Sequence, residues 1–217
     1  MVKIMENILY HRILVTTGHQ LTPAQHANRR GRGTELLLTE AVDQVQEGLT
    51  KGNMVYITSF DIAGAFDCVP HRQLMRSLSN LNVNGHLRRV IHNWLRERTF
   101  QARMKTETGV HLPPIHTISR GFPQGGVISP LLWIIFFNPV LSKLRRMREE
   151  MGEDHNNYKD LIYADELTCI IMAQNEELQK KRAHLLVTMV KKALKEMSLQ
   201  IHDRKTANAV LSPYFLP

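Results

Sequence analysis

Apolar side chains recur at helical spacing in several stretches and alternate or cluster as strands in others. Leu37, Leu38, Ala41, Val42, Val45 and Leu49 follow the 3.6-residue period, which predicts a helix capped by Thr34 and stopped at Gly52. Ile4, Ile8, Leu9 and Ile13 give a weaker helical pattern over 1–15. Met54 to Phe60 is rich in β-branched and aromatic residues and reads as a buried strand. Helices follow over His71–Leu81 and Gly85–Arg98, then a β-hairpin region over Thr99–Ile118 turning at Thr106 to Gly109. A glycine-rich loop over Gly121–Gly126 precedes a helix capped by Ser129, opened by Pro130, kinked at Pro139 and ending near Met151. Asp160 to Ala173 reads as two short strands around a tight turn near Asp165. Asn175 caps a long helix through about Met197, and a final strand pair lies between Leu199 and Ser212.

This order interleaves strands and helices without regular βαβ alternation. It predicts an α+β fold, an antiparallel sheet with helices on one face. No Gly-x4-Gly-Lys-Ser/Thr run occurs, so a P-loop is excluded. With 217 residues, 43% hydrophobic and 22% charged, the chain has the composition of a folded globular protein. The two cysteines, Cys68 and Cys169, leave no room for a disulfide framework. The longest apolar run, Pro130 to Phe137, falls well short of the roughly 20 residues that span a bilayer. With no signal-peptide pattern at the N-terminus, a soluble intracellular protein with no membrane partner is expected. A net charge of +8 suits a polyanionic partner.

Acids at strand ends carry the candidate chemistry. Asp61 closes the strand 54–60, and Asp165 and Glu166 lie between the apolar runs Leu161–Ala164 and Leu167–Met172. A carboxylate at the tip of a buried strand costs desolvation unless it is paired or binds a cation. Converging carboxylates would suit Mg²⁺, a hard ion with oxygen ligands. The same acids also suit plain hairpin tips. Successive strand residues point to opposite faces, so Asp165 and Glu166 share a site only if they leave a turn.

Five segments, in order, resemble the reverse transcriptases, especially those of non-LTR, LINE-like retrotransposons. Phe60 to His71 (FDIAGAFDCVPH) resembles the first palm motif, and Arg120 to Trp133 (RGFPQGGVISPLLW) the second. Tyr163 to Glu166 (YADE) resembles the tyrosine–x–Asp–Asp box, and Leu199 to Thr206 (LQIHDRKT) the later lysine motif. Gln25 to Thr34 is similar to the arginine–glycine stretch upstream.

The resemblance implies a polymerase palm, an RRM-like antiparallel sheet with helices on one face, plus partial fingers. Residues 1–53 would be partial fingers and entry helices, and 54–217 the palm with a fingers-like hairpin insertion near 99–118. The thumb would lie outside the chain. It implies an RNA-directed DNA polymerase using two Mg²⁺, with Mn²⁺ as substitute. The partners would be an RNA template, a DNA primer and a dNTP, and the nucleus the compartment. Asp61, Asp165 and Glu166 would be the catalytic carboxylates, binding metal together with the Ile62 carbonyl. Phe66 would gate the sugar, Gln124 and Gly125 would meet the nucleotide, and Lys205 would act near its phosphates. Arg29, Arg30 and Arg32 would contact template phosphates.

Three departures stand out. The box ends in Glu166, one methylene longer than Asp; about 1 Å of displacement at a reacting site can cost a hundredfold in rate. His26-Ala27-Asn28 replaces an aromatic–Gly–aromatic-like run. By the resemblance, the basic fingers segment and the thumb would lie outside this chain. A catalytically inactive nucleic-acid-binding remnant is therefore the competing reading. A palm-like nucleotide cyclase is a third, against which the Pro123–Gly126 loop and Phe66 count.

Overall fold

The computed structural model describes residues 2–96, 98–106 and 109–213. Two helices, α1 (Val2–Thr17) and α2 (Thr34–Thr50), precede strand β1 (Met54–Asp61). Helices α3 (His71–Asn80) and α4 (Gly85–Leu95) lead to four short strands, β2 (Arg98–Phe100), β3 (Met104–Thr106), β4 (Gly109–His111) and β5 (His116–Ile118). Helix α5 (Ser129–Glu150), strands β6 (Tyr158–Tyr163) and β7 (Glu166–Ala173), helix α6 (Glu176–Glu196) and strand β8 (Ala207–Leu211) complete the fold.

The main sheet has the order β6-β7-β1-β8 and is antiparallel throughout. Phe60, Leu167, Cys169, Ile171 and Ile162 turn to one face and pack with Trp133, Phe136 and Phe137 of α5 and Leu186, Met189 and Val190 of α6. These helices cover one face, as the pattern predicts. Helix α2 adds cover on the other: Val55, Leu161, Ile170 and Met172 pack against its Leu37, Ala41, Val45 and Leu49. The cover is partial. By strand alternation Ser59, Asp61, Glu166 and Thr168 share the α2 face, but they lie beyond that cluster and none is buried.

Residues 1–53 contribute to the same core as the sheet, through Leu9, Ile13 and Leu21. The loop before α2 also joins β6: Ile162 N–H donates to the Ala24 carbonyl at 2.8 Å and His26 N–H to the Ile162 carbonyl at 2.9 Å. Arg148 pins α5 to β6 through a two-pronged ion pair with Asp160, at 2.8 and 2.7 Å. The paired carboxylate keeps that guanidinium charged against the cost of burial.

Several local expectations need correction. Thr34 is the first helical residue of α2, and Gly33 occupies the cap position without a side-chain hydrogen bond. Ser129 does not cap α5; its hydroxyl donates backwards to the Pro123 carbonyl at 2.8 Å. The free amides there belong to Val127 and Ile128, and both donate to the Glu6 carboxylate of α1, at 2.5 and 3.4 Å. The expected final strand pair is one strand, β8, plus an isolated bridge between Ile62 and Ile201. The hairpin region is two nested ladders, β2–β5 and β3–β4. Its turn residues 107 and 108 lie outside the described residues. Asn175 does cap α6, accepting from Leu178 N–H at 2.8 Å.

Candidate active site

Strands β1 and β7 are neighbours, in a register that sets Asp61 opposite Glu166. More than a hundred residues of chain separate Asp61 from Asp165, yet both line one cleft of about 200 Å³. Ile62, Ala63, Gly64, Ala65, Phe66, Asp67, Gln124, His202 and Lys205 complete it. Asp165 sits in the two-residue turn between β6 and β7. Ala164 adopts the left-handed conformation there, with φ +55°. Its carbonyl accepts the Trp133 indole N–H at 2.7 Å, which ties the turn to α5, and the Asp165 carbonyl accepts Ile62 N–H at 3.3 Å. On the other side, the segment after α6 runs beside the end of β1, where His202 N–H donates to the Asp61 carbonyl at 2.8 Å.

Lys205 reaches Asp61 directly, with Nζ 2.9 Å from Oδ2. This hydrogen bond and the Asp61 charge, with Asp165 adding to them, hold the lysine ammonium above its ordinary range. The position next to Asp61 is thus already cationic in character. Two carboxylates and an ammonium facing one cleft are oxygen donors and a displaceable positive charge, a donor set that fits a hard divalent ion. Glu166 does not line this cleft. Its carboxylate accepts the Ser59 hydroxyl at 2.5 Å. Among the described residues, no group of three or more His, Cys, Asp and Glu side chains is gathered to hold a metal ion.

The glycine-rich loop is fixed against the first motif. Phe122 N–H donates to the Phe66 carbonyl and Gly121 N–H to the Val69 carbonyl, both at 2.8 Å. Arg98 donates to the carbonyls of Arg120 and Gly121 at 3.1 and 2.8 Å, and His71 Nε2 stands 2.9 Å from the latter. The closest approach to other backbone is at Gly121, which packs against the carbonyls of Phe66 and Asp67. Gly125 has open space around it and takes φ +78°, a conformation that glycine adopts without strain. Gln124 donates to both Asp67 oxygens, at 3.3 and 3.2 Å. Phe66 is half-buried: it lines the cleft and stacks on Trp133 at 5.8 Å between centroids.

The three arginines before α2 divide. Arg29 donates to the Thr22 carbonyl at 2.6 Å, and Arg32 donates to the Pro23 carbonyl, so both brace their own loop. Arg30 is exposed. Asp67, His202, Ser59 and Trp133 belong to the site or its support and were missed by the motif reading. The period-two spacing of Ser59 and Asp61 was the signal available for Ser59.

Among the described residues no helix is long and apolar enough to cross a membrane. The chain is similar to the Pol polyprotein of the type-1 retrotransposable element R2 from Nasonia vitripennis, 28% identical over 173 residues. That match spans 78% of this chain but only 15% of the relative's length. Its fold resembles telomerase from Candida albicans in complex with a fragment of telomeric RNA, with a TM-score of 0.64, 13% identity and coverage of 96% of this chain and 35% of the other. Apo telomerase from Candida tropicalis, truncated from its C-terminal domain, gives a TM-score of 0.61 and 14% identity, over 94% of this chain and 40% of the other. The model of the family "Reverse transcriptase (RNA-dependent DNA polymerase)" matches residues 1–216. Proteins of that family generally use divalent metal ions. With that model matched over residues 1–216, and with Asp61 and Asp165 of its motifs meeting at one cleft, the chain belongs to the reverse transcriptase family.

Proposed function

We propose that this chain is the palm, with part of the fingers, of an RNA-directed DNA polymerase that extends a DNA primer on an RNA template. The observation that carries this reading is the meeting of Asp61 and Asp165 in one cleft with Phe66, Gln124 and Lys205. Asp61 and Asp165, with the Ile62 carbonyl, would hold two Mg²⁺ ions, or Mn²⁺ in their place. Held there, such ions would supply charge neutralisation for the phosphates and would lower the pKa of a primer hydroxyl. The chain's own residues do the positioning. Lys205 leaves Asp61 and pairs with phosphate oxygens. Phe66, braced by Trp133, presents a flat face against which the sugar lies, excluding a 2′-hydroxyl. Gln124 is held by Asp67 on the side of the cleft where the base would rest. Arg30 is free to meet template phosphate.

Extension of oligo(dT) on poly(rA) with Mg²⁺ or Mn²⁺ tests the reading. Asp61→Asn and Asp165→Asn are each expected to cut the rate by at least about a hundredfold. Phe66→Ala is expected to admit ribonucleotides. The withdrawal of Glu166 to Ser59 favours a second reading, a nucleic-acid-binding remnant without turnover. Salt-sensitive binding of the hybrid with no extension, by the wild type and by Glu166→Asp alike, selects that one.

A further inference from the structure

We propose that Ser59 is a positioning residue that parks Glu166 away from the cation site and so sets the site's affinity for divalent ions. The inference rests on the reading of Asp61 and Asp165 as cation ligands. In the β1–β7 ladder Asp61 faces Glu166 and Ser59 faces Thr168. The Ser59–Glu166 contact is therefore a diagonal one, across a spacing of roughly 7–8 Å that only long side chains bridge. The extra methylene of glutamate makes the reach; an aspartate at 166 falls short. Ser59 Oγ donates to Glu166 Oε1 at 2.5 Å and lies 3.1 Å from Thr168 Oγ1, so the hydroxyl sits in a chain Thr168–Ser59–Glu166 on the open face. Glu166 is thereby absent from the cleft lining that includes Asp61 and Asp165.

The contact is solvent-exposed, so its net strength is modest and it can be exchanged for a cation. Glu166 thus has two competing partners, the Ser59 hydroxyl and the ion beside Asp61. Removing the first favours the second.

The test is Mn²⁺ binding to the 217-residue chain, read by electron paramagnetic resonance of the free ion. Ser59→Ala is expected to tighten Mn²⁺ binding about fivefold, the effect of one net hydrogen bond. Ser59→Thr, which keeps the hydroxyl, stays at the wild-type value. Glu166→Asp binds more tightly than the wild type, and adding Ser59→Ala to it changes nothing further. An unaltered affinity in Ser59→Ala, with wild-type binding abolished by Asp61→Asn, overturns the parking role and leaves the cation site standing. An equal gain from Ser59→Ala in both backgrounds also overturns it, because the serine then acts on something other than Glu166. No Mn²⁺ binding by any variant removes the cation site itself and this proposal with it.

Discussion

A β-carbon on Gly121 would lie 2.6 Å from the carbonyl oxygens of both Phe66 and Asp67, and its φ is +72°. Neither obstacle is a flexible side chain, so the backbone would have to move. Gly121→Ala is expected to cost about 2–3 kcal/mol, measured by urea denaturation, and to spread Gln124 away from Asp67. This glycine was visible in the sequence only as one of a run. The run's neighbours gave no sign of which member touches the first motif, because that contact joins segments more than fifty residues apart. The acids were legible for the opposite reason: a charged residue ending an apolar strand is conspicuous within ten residues of sequence. Their separate fates were not. Glu166 was grouped with Asp61 and Asp165 by its motif, and the diagonal hydrogen bond to Ser59 divides them.

At the scale of elements, strands β1, β6 and β7 and the cap of α6 followed from local pattern. The start of α5 did not. Its serine and proline supply a persuasive N-terminal signature, yet the amides before it are satisfied by Glu6, which is almost wholly buried and arrives from the first helix. A carboxylate at a helix N-terminus gains from the dipole as well as from its two donors. Glu6→Ala is expected to destabilise the protein by about 1–3 kcal/mol. Hydrogen exchange should then quicken first at Val127 and Ile128. Unaltered exchange at those two amides would mean that the serine can serve as the cap after all. α2 supplies the other lesson. Its apolar stripe was plain, but that it would lie on the sheet face opposite α5 and α6 depends on the chain's path between elements, for which periodicity carries no signal.

Taken as a whole, the molecule holds two imidazoles that prefer to be neutral, His26 in the loop before α2 and His71 at the start of α3 beside the glycine-rich loop. Burial pushes His26 and His71 below their ordinary value of 6.5; for His71 the carbonyl of Gly121 opposes this without reversing it. The unfolded chain therefore binds protons at a pH where the folded chain still resists them. Stability is complete above about 6.5 and falls as the pH drops through the folded values. Melting temperature should decline between pH 7 and pH 5, and nuclear magnetic resonance should show both imidazoles titrating below 6.5. A melting curve flat over that range would show that neither ring is held neutral by the fold. The β1–β7 ladder has a consequence of the same breadth. A slip of one residue would swing Phe60 out to water and drive Asp61 into the packing of α5 and α6. The grease of the interior therefore acts as a proofreader for the chemistry outside it, since no misaligned sheet can both bury its aromatics and present its acids.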